Sequence, residues 1–170
     1  MLLKPKLFVI LPFLALAACG FTPLYGGGAD DTVASRLDTV DVQNIPDRPG
    51  QELREALETQ LHTAGAPTVE AYSLHVTYSI ATAGIGVLQD TATTRNRFIA
   101  TAQWTLTPIG QPNSPLTKGA ATTQDAINIV DQQYFALDLE TSTINQQLAN
   151  ELAAQITDQL AAWFKTHPTS

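Results

Sequence analysis

One thiol stands in the 170-residue chain, Cys19, and it closes the run Leu16-Ala17-Ala18-Cys19. Small residues before a cysteine suit a signal peptidase. The thiol is the one side chain nucleophilic enough to take a diacylglyceryl group as a thioether. Upstream, Lys4 and Lys6 supply a positive start, and Leu7 to Leu16 is apolar apart from Pro12. That run is about half the ~20 apolar residues a spanning helix needs, so it reads as an export signal. Residues 1–18 are therefore expected to be removed, with covalent lipid on Cys19 holding the mature chain to a membrane. No disulfide competes for the thiol, since there is no second cysteine. Gly20 follows, rather than the aspartate that retains such proteins in the inner membrane, which favours the cell outer membrane.

Other chemistry is sparse. His62, His75 and His167 have no partner at a metal-binding offset, so no metal is expected. Asp125 and Asp131 read as solvated charge. Gly84-Ile85-Gly86 lacks the third glycine and the following helix of a dinucleotide loop, and reads as a flexible strand connection. No serine sits in a nucleophile elbow, and lipid consumes the thiol. No catalytic residues are assigned, and no cofactor is expected beyond the lipid.

The remaining candidates are basic. Arg95 and Arg97 are one residue apart in Arg95-Asn96-Arg97, with Lys118 a strand away. On a strand, side chains two apart share a face at ~6.7 Å, a spacing that could grip phosphates. The plainer reading is that they keep a strand soluble and blunt its pairing. The mature chain has seven basic and sixteen acidic residues, net −9. Such a surface repels a nucleic-acid backbone, so no nucleic acid is expected as a partner.

The elements that must position these residues follow from periodicity. Residues 19–36, with Pro23, Gly26-Gly27-Gly28 and Ala29-Asp30-Asp31, read as a lipid-anchored tether. Val40 and Val42 alternate in a first strand within 37–45. Asp47 is placed to cap a helix that has Pro49 in its first turn and Leu53, Leu57 and Leu61 four apart. Residues 72–80 alternate without a miss. A second long strand runs over about 94–107, with Phe98, Ala100, Ala102, Trp104 and Leu106 on one face. A further strand over 116–125 is only weakly patterned, because small residues fall on both faces. From about Asp138 to Phe164, Ile144, Leu148, Leu152, Ile156 and Leu160 form one stripe of a long helix. Hydrophobic content of 44% supports a core. The expected fold is an α+β domain over residues 37–165, with two helices on one face of a mostly antiparallel four-stranded sheet and a tail at 166–170. The other sheet face is left open for a partner.

Cys19-Gly20-Phe21-Thr22-Pro23-Leu24-Tyr25-Gly26 resembles the mature start of the LPS-assembly lipoprotein family (LptE) in its α-proteobacterial form. Arg48-Pro49-Gly50-Gln51-Glu52-Leu53-Arg54 is similar to that family's first helix entry. So are Tyr134-Phe135-Ala136-Leu137-Asp138, Leu148-Ala149-Asn150-Glu151-Leu152-Ala153 and the run to Trp163. The resemblance implies a non-enzymatic outer-membrane lipoprotein, facing the periplasm and barrel lumen, that plugs the β-barrel translocon LptD and helps deliver lipopolysaccharide to the outer leaflet. Lipopolysaccharide itself would then be a partner of the basic residues, which match no fixed family motif. The other class of function is a periplasm-facing lipoprotein that binds another ligand or a cell-wall component.

Overall fold

The computed structural model describes residues 33–63, 69–87, 93–128 and 134–167. The expected signal segment, Cys19, most of the tether, Asp131 and the last three residues lie outside them. Along the chain run α1 (Val33–Leu37), β1 (Val40–Val42), α2 (Arg48–Leu61), β2 (Tyr72–Val87), β3 (Thr93–Pro108), β4 (Thr117–Asn128) and α3 (Tyr134–Thr166). The sheet order is β1-β2-β3-β4. β1 lies parallel to β2, so α2 is the crossover of a βαβ unit, and the other pairs are antiparallel. This is the expected α+β architecture, with one short helix added at the start.

The two long strands obey their alternation. Tyr72, Leu74 and Val76 of β2 and Phe98, Ala100, Ala102, Trp104 and Leu106 of β3 are buried. They face the helix layer, in which Ile144, Leu148, Leu152, Ile156 and Leu160 of α3 are all buried on one stripe. With 33 residues, α3 spans ~50 Å at ~1.5 Å per residue. It lies over β4 and β3. Gln155 Nε2 donates to Thr122 O at 3.4 Å and Gln159 Nε2 to Ala120 O at 3.1 Å, and the Thr123 hydroxyl donates to the Glu151 carboxylate. Trp104 Nε1 donates to Gln159 Oε1 at 3.1 Å, which satisfies the indole of a buried tryptophan.

The weakly patterned strand is real and long. Its inward positions are Gly119, Ala121, Thr123, Asp125 and Ile127, of which only Ala121 and Ile127 are buried apolar residues. Small residues are required there because α3 passes so close. A Cβ built on Gly119 would lie 2.6 Å from the Trp104 ring and 2.7 Å from Gln159 Oε1. Gly84 to Val87 is also not a loose connection. It is the end of β2, paired to β3 with register shifts at Gly84/Gly86 and Gly86/Val87, the irregularity glycine tolerates in a strand.

The entry to α2 departs from expectation in its cap. Asp47 occupies the N-cap position at φ 68°, a left-handed conformation rare for a non-glycine residue, and its carboxylate makes no capping hydrogen bond. Its carbonyl still accepts from Gln51 N at 3.0 Å. The sharp turn instead seats Gly50 against Ile45, where an added Cβ would meet Ile45 Cγ2 at 2.8 Å.

The folded domain reaches back into the segment expected to be tether. In α1, Leu37 is buried, and Arg36 donates to Tyr72 Oη (3.1 Å) and to the carbonyls of Phe164 (3.1 Å) and His167 (2.6 Å). Its guanidinium also lies 4.4 Å from the Phe164 ring centroid. A cation on the last carbonyls of a long helix is favoured by the helix dipole, so Arg36 is a structural clamp.

Candidate functional site

The outward positions of the sheet are read from the register. Those of β2 are Ser73, His75, Thr77, Ser79, Ala81 and Ala83. β3 presents Arg95, Arg97, Ile99, Thr101, Gln103, Thr105 and Thr107, and β4 presents Lys118, Ala120, Thr122, Gln124, Ala126 and Asn128. Among the described residues of these three strands, no carboxylate points outward. In a chain with sixteen acidic residues, that asymmetry gives the domain two electrostatic sides. Glu52, Glu55 and Glu58 sit on α2 and Glu151 and Asp158 on α3, the other layer. On the outer face β3 and β4 contribute Arg95, Arg97 and Lys118, and the acidic residue there is Asp41 on the far edge strand β1, while Arg36, Arg48, Arg54 and Lys165 lie on the helices among the carboxylates.

Arg95 and Arg97 lie at the far end of the β2–β3 hairpin, both exposed and two residues apart on one strand face. Arg97 is paired with Ala126 and Arg95 with Asn128 of β4. Together with Gln124, Asp125 and Ala126 they line an open groove of about 260 Å³. Neither arginine has a hydrogen bond or ion pair among the described residues. The arginines elsewhere are engaged: Arg48 pairs with Glu52 at 3.4 Å, Arg54 with Glu58 at 2.8 Å, and Arg36 clamps α3. The hairpin pair is therefore chemically available, as both a ligand contact and a solubilising pair require.

Lys118 shares the face but not the place. It pairs with Thr105, eight residues along β3 from Arg97, which is ~26–27 Å at ~3.3–3.4 Å per residue. One phosphate group cannot be held by all three cations. The residue that sequence reasoning passed over is Asp125. Its position on β4, opposite Phe98 on the inward side, puts it at the edge of the groove next to Ala126, the partner of Arg97, and its Oδ1 accepts from the Ala126 amide at 2.7 Å. Only the β3–β4 register reveals that neighbourhood, and the pattern of β4 was too weak to supply it.

The histidines do not converge. His62 Nε2 is 2.9 Å from Val40 O, His167 stacks on Trp163 at 4.8 Å, and His75 faces outward from β2. Among the described residues no three His, Cys, Asp or Glu side chains are grouped to hold a metal, and no helix is long and apolar enough to cross a membrane. One titration is displaced. Burial, and secondarily the Glu52 carboxylate, pushes the Tyr78 phenol up to about 12. Its neutral form is the one the fold favours, so stability is expected to hold level up to pH ~10 and to fall between there and about 12, where the unfolded chain ionises first. Denaturation of Tyr78→Phe beside the wild type should show that loss only in the wild type.

Residues 37–160 match the family model described as "LptE: Lipopolysaccharide-assembly". The chain belongs to the LptE family. Membership carries a role in lipopolysaccharide assembly and no enzymatic activity. The LptE-family domain is similar in fold to a putative lipoprotein from Caulobacter crescentus, with a TM-score of 0.60 and 23% identity over 78% of this chain and 96% of that one. It also resembles the rare lipoprotein B of Shewanella oneidensis (TM-score 0.57, 11% identity, 75% and 96% covered). A minor lipoprotein from Acinetobacter baumannii is a third (TM-score 0.53, 21% identity, 72% and 91% covered). No curated protein matches the sequence significantly.

Proposed function

We propose that this LptE-family protein is an outer-membrane lipoprotein of the α-proteobacterial form, lipidated on Cys19, that seats in the LptD barrel and contacts lipopolysaccharide through Arg95 and Arg97. Family membership supports the assembly role, and the run Cys19 to Gly26 supports the anchor and the α-proteobacterial form. Mass spectrometry of the mature N-terminus checks the anchor directly. The lipid-contact reading rests on one observation: two exposed arginines without partners among the described residues, on a stretch of sheet where β2, β3 and β4 present no outward carboxylate and Asp41 of β1 lies at the opposite edge strand. Phosphates are the anionic groups such a pair holds best, because each guanidinium can donate two parallel bonds. Lys118, on the same face but far from the pair, would at most meet a different part of the ligand.

The test is the double replacement Arg95→Asp with Arg97→Asp. A charge-assisted contact is worth ~1.5–3 kcal/mol, so lipopolysaccharide binding is expected to weaken more than tenfold. Binding to the wild type should also decline with salt. Both side chains point away from the core, so the unfolding free energy should move little. Barrel co-purification measured on the same samples separates a lipid contact from a protein contact. Unchanged lipopolysaccharide binding would remove the arginines from this role, and retained binding with a lost barrel would assign them to the barrel wall.

A further inference from the structure

The helix layer contains an opening that the fold does not fill. Thr59 and Gln60 on α2, Thr63 just past its end, Ala154, Thr157 and the exposed Asp158 on α3, and Ala34 on α1 line it. The short side chains among them leave a groove of about 640 Å³, within the ~300–1,000 Å³ range of sites that hold a molecule. At its floor Thr157 is 3% exposed, and its hydroxyl has no hydrogen-bond partner. A covered polar atom left in that state is uncommon in a native fold.

We propose that this groove receives the chain's own N-terminal segment, Phe21-Thr22-Pro23-Leu24-Tyr25, and so binds the start of the mature protein onto the domain. The chain enters the described domain at Val33, and the next residue, Ala34, is already a wall of the groove. Seven residues lie between Tyr25 and Val33, among them Gly26-Gly27-Gly28. A glycine-rich stretch of that length has a root-mean-square span of ~14–17 Å, enough to fold back beside its own exit point. Phe21, Leu24 and Tyr25 are large apolar or amphipathic groups that gain from leaving water. Cys19 to Ala29 carries no charged side chain, so nothing in the segment opposes approach to the acidic helix layer. Docking would leave Cys19 only two residues from the groove, ~7 Å of extended chain, rather than fourteen residues from Val33. The end of the domain that holds α1 and the α3 terminus would then lie against the membrane surface. This inference is independent of lipopolysaccharide and of the barrel, and its test uses neither.

Cysteines placed in the full-length lipidated protein in detergent read the contact. Leu24→Cys with Ala154→Cys is expected to form an intramolecular disulfide at least tenfold faster than Leu24→Cys with Gln124→Cys on the outer sheet face. Equal rates for the two pairs would overturn the proposal, because the segment would then sample the surface without preference. Ala154→Trp, which fills the groove, is expected to raise proteolysis between Gly26 and Asp31 about tenfold while the melting temperature holds. If that variant does not fold, Thr63→Trp at the exposed rim serves the same purpose. Unchanged proteolysis in a folded, groove-filled variant also overturns it. So does a cross-link that disappears when Cys19 is left without lipid, an outcome that would give the groove to the acyl chains.

Discussion

Leu152→Ala is expected to lower the unfolding free energy by ~3–5 kcal/mol, the upper part of the range for a leucine truncated in a packed interior. Leu152 is 0% exposed, and it sits mid-way along α3 where the stripe Ile144, Leu148, Leu152, Ile156, Leu160 crosses the sheet. Its removal takes away the transfer free energy of three carbons and leaves a cavity. The flanking leucines and isoleucines cannot close that cavity without moving a 33-residue helix as a unit. Gln146→Ala is the control. Gln146 is on the same helix, exposed at the rim between α2 and α3, and its loss should stay within ~0.5 kcal/mol. Gln155 would be a less clean control, since it donates to Thr122 O at 3.4 Å. Urea unfolding of the variants side by side checks the assignment. A Gln146→Ala loss as large as that of Leu152→Ala would place the buried stripe on the wrong side of α3.

What the sequence made legible was the part of the fold where burial is one-sided and side chains are large. β2, β3 and α3 each bury one face in big apolar residues, so the periods of two and 3.6 stand out. Legibility failed where packing is close rather than voluminous. The inward row of β4 was obscured because Gly119 and Ala121 are small for lack of room, while Ala120 and Ala126 are small on the solvent side for no such reason. α1 hides behind a glycine- and aspartate-rich stretch, and its seating depends on Arg36 reaching carbonyls 128 and 131 residues away. The parallel pairing of β1 rests on three residues, too few to announce a direction. The candidate site divides the same way. That Arg95 and Arg97 share a face follows from spacing alone. That Lys118 is far from them and Asp125 at the edge of their groove needs the β3–β4 register, which no local pattern encodes.

Gly119→Val is the substitution for which local propensity and tertiary packing give opposite signs. Valine is a better strand residue than glycine, on a scale that spans ~1 kcal/mol, and it restricts the unfolded chain more, so local reasoning expects stabilisation. Packing reverses this. The Cβ alone would lie 2.6 Å and 2.7 Å from Cζ2 and Cε2 of Trp104 and 2.7 Å from Gln159 Oε1, where ordinary contact begins at 3.4 Å. Neither neighbour yields freely. The indole is 4% exposed and holds Gln159 through Nε1, and Gln159 in turn donates to Ala120 O, so shifting either one breaks the link between β3, α3 and β4. Overpacking of this kind costs ~1–3 kcal/mol, and leaving a buried indole N–H unsatisfied costs a further ~1–3 kcal/mol. The expected net loss is therefore ~1–5 kcal/mol after the strand preference is subtracted. Gly119→Ala should already show part of it. In a Trp104→Leu background the loss on adding Gly119→Val should shrink, because the ring that resists the new methyls is gone, and that coupling separates a clash from a general strand defect. Tryptophan fluorescence of Gly119→Val against wild type should register a changed Trp104 environment. Wild-type stability in Gly119→Val, or an equal loss with and without the Trp104 ring, would mean that α3 does not lie on β4 as closely as the glycine requires.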